Sequence, residues 1–386
     1  MALFSAQQMA HAEQVLDKVR KEWLKKPGVT AVDLGFKWQA GEMTRKLAIR
    51  VHVTQKKPIA DLTPEELFPK EVDGVEVDII EANYGIQTAP DSGSPVQLET
   101  AAHGRSDRFE NIPIGVSIGS PLVSAGTLGA KVIDNKNGDE MVLSNWHILA
   151  GGLGAAVGLS IWQPGGLDGG GEADKFAELT RWVLGPYDAA VARLTGQRTV
   201  QDQTFEGRHF AGTAVPQLGM EVWKSGRTTG LTNGFIDGIK MSTALPYSGA
   251  GVRTMRDVFR IVPLPGAGNI EVSLGGDSGS VWVDTESGHA VGLHFAGETG
   301  NAPEHALACE IIPVLETLNV RLPDMVVDTP PKENTPPPVD IPTEPDEPVE
   351  PVKPVEPDKP VTPPDEPLSL WAKIIGFFRW LFGLNG

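Results

Sequence analysis

From about Ile112 to Leu322 the chain reads as many short apolar and β-branched runs. They are broken by glycine-rich turns such as Asp134-Asn135-Lys136-Asn137-Gly138 and Thr232-Asn233-Gly234. Such punctuation predicts an all-β barrel or sandwich. The most glycine-rich stretch, residues 151–171, holds nine glycines in 21 positions. It lacks the Gly-Lys-Ser/Thr ending that a phosphate-cradling loop needs, so it reads as a surface loop. Asp168, Glu172 and Asp174 in and beside it do not follow the spacing of an EF-hand calcium loop. No metal and no cofactor are expected.

Ahead of this region, residues 5–26 read as an amphipathic helix with Met9, Val15, Leu16, Val19, Trp23 and Leu24 gathered on one face, ended by Pro27-Gly28. Residues 29–36, 46–54 and 75–80 carry strand-type residues, and Leu62 to Leu67 looks like a short capped helix between them. His52 alternates with Val51 and Val53 and reads as a surface or structural histidine. The single cysteine, Cys309, sits in an apolar stretch and reads as a small buried hydrophobe. The expected organisation is an N-terminal helix (1–28), a small α+β accessory domain with connector (29–100), a β domain (101–325), a spacer (326–367) and a C-terminal helix (368–386).

The spacer rests on its prolines, 15 in residues 329–367, falling on every third position from Pro342 to Pro363. Three residues is the polyproline II repeat, which predicts an extended, semi-rigid segment rising about 3.1 Å per residue. Ligation of a proline-binding domain is the functional alternative. Beyond it, Trp371, Ile374, Ile375, Phe378, Leu381 and Phe382 form a broad apolar arc, with Lys373, Gly376 and Arg379 on the other side. A helix this short and twice interrupted by cations suits lying on a membrane surface or docking to a partner protein better than spanning a bilayer. Folding back onto the globular part is the third option. The formal charge of -17 repels a phosphate backbone, so no nucleic-acid partner is expected. Residues 1–23 lack a basic stretch followed by an apolar block, which predicts no secretory signal and a cytoplasmic protein peripheral to the inner membrane surface.

The chemistry concentrates in three segments. In Gly275-Gly276-Asp277-Ser278-Gly279-Ser280 the flanking glycines let the backbone turn sharply and present the Ser278 hydroxyl, with the Gly276 and Ser278 amides converging on an oxyanion. A serine needs a base to attack a carbonyl at neutral pH. Met141-Val142-Leu143-Ser144-Asn145-Trp146-His147 supplies a candidate in His147, at the end of an apolar strand. Asp188 heads the apolar run Ala189-Ala190-Val191-Ala192, where its carboxylate can orient the imidazole.

In the order His147, Asp188, Ser278, these segments resemble the chymotrypsin-like (trypsin-like) serine proteases, over about 210 residues. The departure from the Thr-Ala-Ala-His-Cys form fits a bacterial, disulfide-free branch, and Lys224-Ser225-Gly226-Arg227-Thr228-Thr229-Gly230 resembles a second-barrel strand and turn of such enzymes. The resemblance implies a mainly β double six-stranded antiparallel barrel and a serine endopeptidase acting on protein or peptide substrates. A catalytically inactive scaffold and a non-peptide esterase are the competing readings. Val291-Gly292-Leu293-His294-Phe295 resembles the pocket strand of glutamyl endopeptidases, whose histidine contacts an acidic side chain, and Ser273 matches a pocket hydroxyl. That likeness implies a preference for Glu or Asp before the cut, against a purely structural His294 or another pocket role. Arg227 is a further cation for the pocket, or a surface residue.

Overall fold

The computed structural model describes residues 3–86, 104–299 and 304–323. The spacer at 326–367, the helix at 368–386 and the connector after residue 86 up to residue 100 lie outside the described residues.

Helix α1 (Ala6–Trp23) starts where Ser5 and Gln8 exchange hydrogen bonds, the Gln8 amide donating to Ser5 Oγ and the Ser5 amide to Gln8 Oε1. It buries Ala12, Val15, Leu16 and Trp23. The chain then leaves helical geometry through Gly28, at φ +74°. Strands β1 (Val29–Gln39) and β2 (Glu42–Val53) form an antiparallel hairpin, and β3 (Val75–Glu81) runs parallel to β2. Between them the capped helix expected over 62–67 is a single 3-10 turn, Pro64–Glu66, closed by Thr63 and Glu66. Strand β4 (Tyr84–Ile86) follows.

The remainder is mainly β, as the strand-and-turn pattern predicts. Strands β5 (Val123–Thr127), β6 (Ala130–Asp134), β7 (Glu140–Ser144), β8 (Lys175–Leu184) and β9 (Asp188–Leu194) lie in an eight-stranded sheet in which β7 is flanked by β6 and β9. Strands β10 (Glu221–Gly226), β11 (Gly230–Tyr247), β12 (Gly251–Val262), β13 (Val281–Asp284), β14 (His289–Glu298) and β15 (Ala306–Glu310) pair antiparallel in the order β10-β13-β14-β15-β12-β11. Because β11 also pairs with β10, those six strands close into a barrel. Closure removes free edges except where one strand outruns its neighbour.

Strand β1 pairs with β11 through Ala31↔Thr243 and Val32↔Ser242, so the N-terminal strands prolong the second sheet. Val15, Leu16, Trp23, Val32 and Ile49 share one apolar cluster with Phe259, Ile261, Trp282 and Val291. A buried polar knot crosses the same junction. Arg50 donates to Asp33 Oδ1 and to Asp237 Oδ2, each at 2.8 Å, and Arg260 donates to Asp237 at 2.7 Å. His52, read from sequence as a surface or structural histidine, is fully buried, with Nε2 3.0 Å from Asp33 and Nδ1 2.6 Å from the Tyr84 hydroxyl. Burial drives its pKa down, so the neutral ring donates to Asp33 and accepts from Tyr84. Burial disfavours a charged Asp33, yet Arg50 and His52 hold its carboxyl well below the usual range.

Candidate active site

Strand β7 pairs with β9 in the register Leu143↔Val191 and Ser144↔Ala190, which sets Asp188 beside the turn leaving β7. Asn145 holds that turn by donating from Nδ2 to the Asp188 carbonyl at 2.8 Å. His147 follows on the short helix α2 (Trp146–Leu149). Its amide donates to Asp188 Oδ1 at 3.2 Å, and its Nδ1 lies 2.5 Å from Oδ2. The Tyr247 hydroxyl donates to the same Oδ2 at 3.0 Å. Burial, with Asp188 adding to it, pushes the Tyr247 phenol well above its ordinary pKa, so it remains a donor. With Nδ1 engaged by the carboxylate, the hydrogen-bonding choice left to the imidazole is Nε2. That nitrogen is buried and has no hydrogen-bond partner among the described residues.

Two tight turns meet at Asp277, whose amide donates to the Leu274 carbonyl and whose carbonyl accepts from the Ser280 amide, both at 3.0 Å, and Ser278 lies within the second. Gly276 and Gly279 adopt φ of +99° and +96°. A Cβ on Gly279 would stand 2.1 Å from Ser144 Oγ and 2.4 Å from the Thr127 carbonyl, so the turn requires glycine there. The turn is fastened to the first sheet through Thr127 of β5. The Thr127 amide donates to the Ser278 carbonyl at 2.9 Å and its hydroxyl to the Gly276 carbonyl at 2.8 Å. Ser144, three residues before His147, donates to the Thr127 carbonyl at 2.8 Å. His147 and Ser278 are thus reached from one strand, and Ser278 Oγ stands 3.5 Å from the Phe295 carbonyl.

Asp277 anchors the turn from beneath. It is fully buried and accepts from Lys224 Nζ at 3.0 Å, from Thr229 Oγ1 at 2.6 Å and from the amides of Thr228, Thr229 and Leu274. Burial opposes its charge, but Lys224 and these donors bring its pKa down to about 2. The strand and turn at 224–230 therefore serve as a cradle for Asp277. Arg227 is 1% exposed and donates twice to Asp168, at 2.7 Å each, so the glycine-rich stretch is clamped at that point.

The two residues that the sequence likeness assigns to the specificity pocket lie close by. His294 is fully buried against Trp282; its amide donates to the Ser280 carbonyl and its carbonyl accepts from the Gly279 amide, each at 2.9 Å. Burial first, then the Lys224 charge, pushes its pKa down to about 3. Ser273 is 1% exposed; its amide donates to Glu304 Oε1 at 3.2 Å, and its hydroxyl has no partner among the described residues. Glu304 carries no sequence signal of its own, yet burial, with Glu271 and Glu298 beside it, pushes its pKa up to about 9. Tyr247, Thr127 and Lys224 are likewise without an assigned role in the sequence reading, since each acts across a long sequence separation.

No protein-family model and no curated protein matches the chain. Among solved structures, Thermobifida fusca protease A is 19% identical, covering 55% of this chain and 98% of its own at a TM-score of 0.41. A Nocardiopsis protease is 21% identical with the same coverages and a TM-score of 0.42. A glutamic acid specific serine protease that uses a histidine triad in substrate binding is 19% identical, covering 54% and 98%, at 0.41. Overlap of that degree assigns no activity to this chain.

Proposed function

We propose that the chain is a serine endopeptidase working by acyl transfer. His147 takes the Ser278 proton on Nε2 as the hydroxyl attacks a peptide carbonyl, and Asp188 orients the ring and stabilises its charged form. The amides of Gly276 and Ser278 bind the oxyanion, His147 protonates the leaving amine, and water repeats the cycle on the acyl-enzyme. The observation that carries this reading is the His147–Asp188 pair, whose geometry engages Nδ1 and leaves Nε2 as a buried nitrogen without a partner among the described residues. A fluorophosphonate probe should label the protein and fail on Ser278→Ala; cleavage by that variant at the wild-type rate would overturn the assignment.

One observation favours a second reading, a catalytically silent scaffold: Ser278 is fully buried, with Oγ directed at the Phe295 carbonyl. Absence of labelling in the wild-type chain would select it. A preference for Glu or Asp before the cut has His294 and Ser273 in its favour by position. Against it stand the depressed pKa of His294 and the carboxyl of Glu304 beside Ser273. Cleavage of a peptide library reads the preference directly. Attachment through residues 368–386, with a cytoplasmic location, is the remaining part of the proposal. Liposome flotation should fall when the chain is truncated after residue 367, and equal flotation would remove tail anchoring.

A further inference from the structure

Strand β14 has two edges near Ser278. One carries β15, from Gly292↔Glu310 to Gly297↔Ala306. Along the other come, in order, β13 at Val281↔Leu293, then the serine turn, bonded to His294 through Gly279 and Ser280. Past the turn the same edge is filled by β4, which pairs antiparallel through Ala296↔Ile86, Gly297↔Gly85 and Glu298↔Tyr84. The Thr299 amide extends the pairing by donating to the Asn83 carbonyl at 3.0 Å. Ser278 Oγ faces the Phe295 carbonyl, one residue before this pairing begins. Strand β4 therefore runs toward Ser278, with Ile86 its nearest described residue.

An extended peptide adds to a sheet through an edge strand, its backbone groups supplying the hydrogen bonds and alternate side chains the selectivity. The edge of β14 from Ala296 to Glu298 is the one that leads directly to Ser278. We propose that Tyr84-Gly85-Ile86, seated on this edge, is an intramolecular competitor for the residues of a peptide substrate that precede the cut. The inference rests on Ser278 being the nucleophile. The segment is held by specific contacts. The Tyr84 hydroxyl donates to His52, its ring packs edge-on against His305 at 5.0 Å, and Thr30 Oγ1 donates to the Ala82 carbonyl at 2.9 Å. Gly85 passes so near that a Cβ would stand 2.5 Å from Thr299 Cγ2. A branched side chain at 85 would crowd the exposed Thr299, whose amide closes the pairing, and so weaken the seat of β4 on the edge, while Tyr84→Phe would release it from His52 alone.

The test uses the full chain carrying Gly85→Val or Tyr84→Phe. It compares turnover of a peptide with four residues before the cut with labelling by a small fluorophosphonate, which needs no strand edge. Raising the open fraction from about a tenth to nearly all should raise kcat/KM for the peptide roughly tenfold, mainly through KM, with labelling changed less than about twofold. A free peptide spanning residues 82–87 should inhibit Gly85→Val competitively, a readout that needs the variant to be folded. Unchanged peptide turnover with normal labelling, or no inhibition by the free peptide, would overturn the competitor while leaving the nucleophile intact. Failure of every form to label would overturn the nucleophile, and the inference with it.

Discussion

Thr127 donates its amide to the Ser278 carbonyl at 2.9 Å, so a strand of the eight-stranded sheet fixes the serine turn of the closed barrel. Its hydroxyl adds two bonds, donating to the Gly276 carbonyl at 2.8 Å and accepting from the Arg227 amide at 3.0 Å. Thr127→Val keeps the shape and removes both, leaving two buried backbone groups unpaired at about 1–3 kcal/mol each. Probe labelling of Ser278 should fall roughly tenfold, which corresponds to about 1.4 kcal/mol in the barrier. A labelling rate equal to wild type, with an unchanged melting temperature, would show that Thr127 does not position the turn.

Glu304 gives the fold a pH dependence of defined sign. Its folded pKa, about 9, lies above the ordinary carboxyl value of 4.5. The neutral form is therefore the one the fold favours. Its contribution is fully present below the unfolded value and is lost as pH rises from about 4.5 toward about 9. His294 acts from the other side. Its folded pKa of about 3 lies below 6.5, so its contribution holds above 6.5 and is lost as pH falls toward 3. Glu304→Gln keeps an acceptor for the Val272 and Ser273 amides and removes the titration. Thermal melts should show the variant gaining on wild type between about pH 5 and about pH 8. A parallel pair of curves would refute the buried, neutral Glu304.

The sequence was informative wherever one segment carries its own signal. The apolar spacing over residues 5–26 announces the helix found at Ala6–Trp23 and the Gly275–Gly279 run announces a constrained serine, whereas the capped helix expected over 62–67 shrinks to a single turn. Asp188 could be singled out because it heads an apolar strand, and the register of that strand against β7 brings it to His147. Contacts made across the fold left no such mark. His52 alternates with two valines like a residue on one face of a strand, but Arg50 and Asp33, paired with each other across the β1–β2 hairpin, belong to a buried knot that the pairing of β1 with β11 completes by bringing in Asp237. Tyr247 lies at the far end of an 18-residue strand, 59 residues from the carboxylate it binds. Tyr84-Gly85-Ile86 has no local pattern that would reveal its place on β14.

Lys224 and Asp277 are both fully buried and form the ion pair beneath the serine turn. Burial pulls the Lys224 pKa down, and the Asp277 charge is what offsets that loss. Lys224→Met removes the cation, preserves most of the apolar stem and leaves Asp277 as an uncompensated buried charge. Breaking a buried pair from one side costs about 3–5 kcal/mol, so the melting temperature should fall at pH 7. The deficit should shrink as pH falls, because protonating Asp277 removes the unpaired charge; wild type in turn loses the pair's contribution as pH falls from about 4 toward about 2. Lys224→Met combined with Asp277→Asn should regain part of the stability without regaining Ser278 labelling. A carboxamide at that position has one acceptor oxygen, which cannot serve Thr229 and three amides together as the carboxylate does. Full labelling by the single variant would place the organisation of the turn in the glycines and Thr127 alone.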